Sequence, residues 1–303
     1  MPEKDSEIVY HYCSLETFKS IIENKCLWLC DVEKSNDSAE RVYFNNLMLQ
    51  TVKQYMAQLD SSTHNIERKR AALQQLQNAL SSPQDGLASV YSCSFSDNGD
   101  ILSQWRGYAD DGYGVSIGIY SGHFQKYLTK GCFRHIEYNE AAAKDKCKEL
   151  LERGISSYLE TNNDEEWDAV SSFSLYVLLL MEQQNIFYKS AAFIEEQECR
   201  IVTSDNLNTY SVDGNTLGFP GPEIISNKEK STLWLSEKKF RVSNHKLSGY
   251  FELSFERIKD CFIENIILGP KCLSAPRDIR HFLECNNYKV ENIEINTSSA
   301  TYR

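Results

Sequence analysis

Two periods of apolar residues alternate along this chain, and they divide it into strands and helices. Ile8 to Tyr12 alternates and is rich in β-formers, which predicts a first strand. Ser14 then caps a helix in which Leu15, Phe18, Ile21 and Ile22 recur at helical spacing with Glu16 and Glu23 outside. Leu27 to Leu29 reads as a short strand, and Asp31 to Asp37 as a polar turn. Ala39 to Leu80 is helical in pattern, as two helices. Val42, Leu47, Leu49, Val52, Met56 and Leu59 give the first an apolar stripe. Ser61-Ser62-Thr63 breaks it and caps the second, which Ala71, Leu73, Leu76 and Leu80 continue. The pair reads as a helical insertion packed on a sheet, closed by Ser81-Ser82-Pro83 and Asp85-Gly86.

Further on, strands are predicted over Leu87–Ser94, Tyr113–Ile119, Cys132–Tyr138, Gln197–Thr203, Phe251–Phe255, Ile263–Leu268 and Val290–Ile295. Helices are predicted from Ser121 to Thr129, Ala141 to Leu159, Glu165 to Tyr188 and Pro276 to Cys285, with a break at Asn162-Asn163-Asp164. The Gly and Pro concentration between Ser204 and Ser231 predicts loops with room for one hairpin, and Thr297 to Arg303 a polar tail. Strands and helices interleave without regular βαβ spacing. That pattern predicts an α+β fold with a mixed or antiparallel central sheet rather than a doubly wound parallel one. No linker is long enough to require two domains, so residues 1–303 read as one.

Composition narrows the function. Apolar residues make up 41% of the chain, enough for a sizeable core. The net charge of −11 argues against bulk affinity for nucleic acid, which needs a basic face, but leaves room for a local basic groove. The ten cysteines include no C-x-x-C pair, the closest being Cys26 and Cys30; buried reduced thiols are expected rather than a zinc site or a disulfide framework. The N-terminal MPEKDSEIVYHY lacks the basic and apolar regions of a secretory signal, and the longest apolar run, Leu175 to Met181, is too short for a bilayer. A cytoplasmic protein without a membrane segment is the expectation.

The polar chemistry gathers in three stretches. His11 sits between Tyr10 and Tyr12 at the end of the first strand, where it could donate to a ribose hydroxyl or serve as acid or base; the structural alternative is a half-buried imidazole bonded to a carbonyl. Within Ser92 to Ile119, Ser94 and Ser96 share one strand face and Phe95 takes the other. The serines could scaffold a carboxylate or touch a ligand, or Ser96 could simply open a turn with Asp97, Asn98 and Gly99. Gln104-Trp105-Arg106-Gly107-Tyr108 offers a guanidinium for a phosphate and a ring for stacking; the alternative is a core Trp and an Arg paired with Asp110 or Asp111. Glu196 and Glu198 lie two apart on a predicted strand, on one face with Arg200, and repel unless a cation or substrate relieves them; an exposed edge-strand face is the alternative. There is no Gly-rich phosphate loop, nucleophile elbow or His-rich metal spacing.

Taken in order, YHYCSLETFKSIIENKCLWLCD, SFSDNGDILSQWRGYADDGYGVSIGI, FIEEQECRIV and IIENIILGP resemble the bacterial domain-of-unknown-function family 2971 over nearly the whole chain. That likeness implies no activity. A histidine strand, a Ser/Thr-Leu helix and a short apolar strand also resemble, more weakly, the opening of ADP-ribosyltransferase folds. That resemblance implies His11 at the first motif, Ser94-Phe95-Ser96 at the second, and Glu196-Gln197-Glu198 as the Glu-x-Glu motif. The pattern is a hybrid, since the histidine type expects a tyrosine second; Tyr91 and Tyr108 are the candidates.

The resemblance implies NAD as substrate, no metal, and ADP-ribose transfer to a protein or nucleic-acid acceptor, with a toxin or phage-defence role as its setting. Glu198 would stabilise an oxocarbenium-like ribose, Glu196 would position or deprotonate the nucleophile, and His11 would hold a ribose or the nicotinamide amide. Tyr108 or Tyr12 would stack on nicotinamide, and Arg106 would meet the pyrophosphate. The alternatives are a non-catalytic nucleotide-sensing or partner-binding module and an NAD glycohydrolase.

Overall fold

The computed structural model describes residues 8–32, 39–60, 62–81, 89–127, 133–160, 166–204, 210–212, 215–217, 232–243 and 245–302. In chain order these form β1 (Ile8–Cys13), α1 (Leu15–Asn24), β2 (Cys26–Asp31), α2 (Ala39–Ala57), α3 (Ile66–Ser81), β3 (Val90–Ser96), α4 (Leu102–Tyr108), β4 (Val115–Tyr120), α5 (Gly122–Tyr127) and β5 (Phe133–His135). Then come α6 (Glu140–Glu160), α7 (Glu166–Asn185), β6 (Glu198–Ser204), the hairpin β7 (Tyr210–Val212) and β8 (Asn215–Leu217), β9 (Trp234–Leu235), β10 (Lys239–Ser243), β11 (Lys246–Ser254), β12 (Ile263–Leu268), α8 (Pro276–Cys285) and β13 (Glu294–Thr297). The class is α+β, as expected. Among the described residues, no helix is long and apolar enough to cross a membrane.

The central sheet runs β10-β11-β2-β3-β1-β4-β12-β13 and is mixed, because β12 and β13 are parallel while the other pairs are antiparallel. Its key feature is a fork at β3. One edge of β3 is taken along its whole length by β6, from Val90↔Ser204 to Ser96↔Glu198. The other edge is shared. β2 pairs with Tyr91 and Ser92, β1 pairs at Tyr10↔Ser96, and Cys93 to Phe95 lie between them. A backbone stretch so placed has hydrogen-bonding groups that must find partners other than a ladder.

Two apolar cores flank the sheet. On one face, Phe95, Cys199, Ile201, Ile117 and Phe251 pack with Phe18, Ile21 and Ile22 of α1 and with Ile279 and Leu283 of α8. On the other, Val202 and Ile136 join a helical layer of α2, α3, α6 and α7 through Phe44, Leu73, Leu150 and Val177. The expected insertion is therefore two members of a four-helix layer whose other half is contributed a hundred residues later. Period-two alternation sets which side chains look into this second face: Ser92 and Ser94 on β3, Glu198 and Arg200 on β6.

Several expectations shift. Two short strands, β9 and β10, were not foreseen from the sequence, and the last strand starts at Glu294 after a 3-10 turn over Val290–Asn292. Residues 297–302 form a docked strap rather than a loose tail. Ser298 and Ser299 hydrogen-bond the Asp100 carboxylate, with Ser299 N donating at 2.8 Å, and the Tyr302 hydroxyl donates to Asp111 at 2.6 Å. The turns expected at Asp31–Asp37, Ser81–Gly86 and Asn162–Asp164 fall mainly or wholly outside the described residues, as does most of the Gly/Pro-rich stretch.

Candidate functional site

A cavity of about 480 Å³ lies over the fork, within the range of small-molecule sites. Tyr10, His11 and Tyr12 line it from β1, Cys30 from β2, Ser92, Ser94 and Phe95 from β3, and Glu198 and Arg200 from β6. Gln104, Gly107 and Tyr108 close it from α4, and Glu196 from the turn before β6. Of the residues singled out from the sequence, His11, Tyr12, Ser94, Tyr108, Glu196 and Glu198 therefore meet in one place.

His11 projects into the split between β1 and β2. Its Nδ1 lies 3.0 Å from Ser94 O, in the stretch of β3 left between the two ladders. A carbonyl only accepts, so Nδ1 carries the proton, and burial lowers the ring's pKa against the opposing effect of that hydrogen bond. The imidazole is thus neutral at pH 7, with Nε2 as an acceptor. The expected donation to a hydroxyl becomes acceptance from one.

Tyr12 is structural as much as lining. Its hydroxyl accepts from Ile101 N at 2.9 Å and donates to Asn98 O at 2.8 Å, which fixes the entry of α4. Its ring meets the fully buried Trp105 edge-on, with centroids 4.8 Å apart. Gly99 permits this turn, because a Cβ there would come within 2.4 Å of the Tyr10 ring. Asp100 completes the arrangement by accepting from Trp105 Nε1 at 2.7 Å. Tyr108 is 51% exposed and its ring lines the cavity; its hydroxyl sits 3.5 Å from Glu196 Oε1, at the outer limit of a hydrogen bond.

Arg106 and Ser96 are not among the lining residues. Arg106 is turned toward the strap, 4.8 Å over the Tyr302 ring, and hydrogen bonding to Tyr302, with a smaller contribution from the Asp111 charge, raises its pKa. The expected contact with a pyrophosphate is therefore not supported by its placement. The Ser96 hydroxyl donates to Glu196 O at 2.7 Å and accepts from Asn98 N at 3.3 Å, so it scaffolds the acidic turn from behind. Tyr91, a candidate for the second-motif tyrosine, is buried edge-on against Phe251.

The acidic pair differs from a simple strand face. Glu196 ends a 3-10 turn (Ala191–Glu196), Gln197 adopts a left-handed conformation at φ 47°, and Glu198 opens β6. Both side chains still reach the cavity because two buried cations gather them. Lys189 Nζ donates to Glu196 Oε2 at 2.6 Å and to Glu198 Oε2 at 3.1 Å. Arg200 grips Glu198 in a fork, Nε to Oε1 at 2.5 Å and Nη2 to Oε2 at 2.8 Å, and is itself tied to Ile186 O at 3.0 Å. The Glu198 amide donates to the Tyr138 hydroxyl at 2.9 Å. The result is a charge-balanced floor of two carboxylates and two cations beneath a mainly aromatic wall. Lys189 and Tyr138 were missed from the sequence; Lys189 follows a helix and carries no local signal beyond its charge. Cys30 contributes an uncharged thiol, since burial raises its pKa.

The family model described as "Protein of unknown function (DUF2971)" matches residues 104–201, from α4 through the Glu-x-Glu stretch into β6. No curated protein and no solved structure matches the chain.

Proposed function

We propose that this cavity binds the nicotinamide-ribosyl end of NAD, and that the protein cleaves that glycosidic bond and passes ADP-ribose to a macromolecular acceptor. The reading rests on one observation above others. His11 and Glu198, distant in sequence, line the same aromatic-walled cavity, with Glu196 beside them. Tyr108 stacks on the nicotinamide ring. His11 Nε2 accepts from a ribose hydroxyl or the carboxamide. Three N–H groups occupy three of the four lone-pair directions of Glu198, which leaves one on Oε1 for the ribose hydroxyl. As the bond to nicotinamide breaks, the carboxylate opposes the positive charge growing on the ribose. Glu196, nearer the exposed rim beneath Tyr108, orients the incoming nucleophile. The described cysteines are free thiols, in keeping with a reducing, cytoplasmic setting.

A second reading is favoured by the same floor. Because Arg200 and Lys189 already neutralise Glu198, the cavity would also serve a nucleotide-binding module that does no chemistry. Incubating purified protein with NAD, with and without cell lysate, and following nicotinamide release separates the two. Transferase activity predicts release that Glu198→Gln lowers on the order of a hundredfold or more. Saturable NAD binding with no release under either condition would favour the module.

A further inference from the structure

On the opposite face of β6 from Glu198, and independently of the NAD reading, three side chains with metal-binding donors converge. Cys199 pairs in register with Phe95 on β3 and with His135 on β5, so all three share a face, and Asp97 follows β3 with its amide donating to Gln197 O at 2.9 Å. The donor atoms of Asp97, His135 and Cys199 all lie within 4.8 Å of one another, the one such group of three among the described residues. Donors so spaced sit no more than about 2.8 Å from a common centre, against about 2.0–2.3 Å for zinc bonds, so a closure of under about 1 Å completes the set.

We propose that Asp97, His135 and Cys199 bind a divalent transition metal, with zinc the best match. A thiolate, an imidazole and a carboxylate are the donor types zinc takes, and the mixture disfavours the all-oxygen cations calcium and magnesium. The layout suits a metal entering from solvent. Cys199 is fully buried at the base, while the His135 and Asp97 side chains are 53% and 25% exposed at the mouth, leaving a fourth position for water. Phe133 holds the His135 ring from the side, centroids 6.1 Å apart. Without metal, His135 Nε2 donates to Asp97 Oδ1 at 2.9 Å, an arrangement that already aims both at the site. On binding, the thiol proton leaves to solvent and the imidazole proton resides on the ring nitrogen not bound to metal. The same residue types build hydrolytic triads, but a covered sulfur with a thiol pKa raised by burial is no nucleophile. The metal would tie β3, β5 and β6 together directly behind Glu198.

The test is zinc binding by the metal-stripped full chain, measured by competition with a chromogenic chelator, with cobalt(II) spectra as a second readout. The expected result is one zinc per chain and a near-ultraviolet thiolate-to-cobalt charge-transfer band. Cys199→Ser should remove the band. His135→Asn and Asp97→Asn, at the exposed mouth and monitored by circular dichroism for folding, should each weaken zinc by roughly tenfold or more. Cys261→Ser and Cys285→Ser should change neither readout, although both thiols are exposed and Cys285 lies 3.8 Å from His281 Nε2. Absence of stoichiometric binding would overturn the proposal. So would a band that survives Cys199→Ser, one that is lost with Cys261 or Cys285, or zinc affinity unchanged in both mouth variants.

Discussion

Replacing Glu198 by glutamine should expose how the floor of the cavity is held together. The wild-type floor places two carboxylates against two cations, and Lys189, Glu198 and Arg200 are each no more than 7% exposed. Glu198→Gln keeps the shape but removes one negative charge and turns one acceptor of the Arg200 fork into an NH2 donor, so Arg200 and Lys189 lose the carboxylate that they share. Removing one partner of a buried ion pair costs about 3–5 kcal/mol, and at about 2.1 cal/mol/K of unfolding entropy per residue that lowers the Tm of a 303-residue chain by roughly 5–8 °C. Adding Lys189→Met to Glu198→Gln leaves one charge of each sign and should restore a substantial part of the loss, so the double variant is more stable than additivity predicts. Urea unfolding with m-values compared across the set is the assay. A Glu198→Gln protein that melts within about 1 °C of wild type, or strict additivity with Lys189→Met, would refute the claim that these four charges form one coupled unit.

The neutral His11 makes stability depend on pH. Burial lowers its folded pKa below the unfolded value of about 6.5, so the fold binds fewer protons and loses stability as pH falls below about 6.5 toward the folded pKa; His11→Gln should flatten this part of a Tm-versus-pH curve, and an unchanged slope counts against the buried neutral ring. Burial alone would raise the Asp100 pKa, but hydrogen bonds from Ser298, Trp105 and Ser299 outweigh it and lower the value. The stabilisation is therefore present above the unfolded pKa and lost as pH falls through the folded one. Asp100→Asn should cost about 1.5–3 kcal/mol and release residues 298–302 to carboxypeptidase, whereas a tail equally resistant in the variant would show that the strap is held by other contacts. Tyr108→Ala should weaken NAD binding roughly tenfold or more while leaving Tm nearly unchanged, since the ring is half exposed; a matching drop in Tm would mark it as a packing residue instead.

The sequence was most informative where a pattern was local. Alternation in Ile8–Tyr12 and the apolar spacing of Leu15 to Ile22 located β1 and α1, and Ile263–Leu268 and Pro276–Cys285 agree with the strand and helix found there. Period-two alternation also placed Glu198 and Arg200 on one face of β6 and Ser94 opposite Phe95 on β3, but the register Ser94↔Arg200 that joins those faces is long-range, and Glu196, expected on the same strand, ends a 3-10 turn instead. What a single chain pattern does not encode is the fork. That β3 shares an edge between β1 and β2 is a matter of long-range pairing, and it alone explains why His11 turns toward Ser94 O. Arg106 misled for a related reason. In a seven-residue helix, neighbours in sequence face different ways, so Tyr108 and Gly107 meet the cavity while Arg106 meets Tyr302. The Asp97, His135 and Cys199 group lacked any short metal-ligand spacing, since three separate segments bring it together.

Saturation-transfer NMR with NAD and the intact protein reports which end of the dinucleotide sits in the cavity. The strongest transfer is expected to the nicotinamide ring protons, sharply reduced in Tyr108→Ala. Transfer confined to the adenine protons, or none to either ring at saturating NAD, would contradict it.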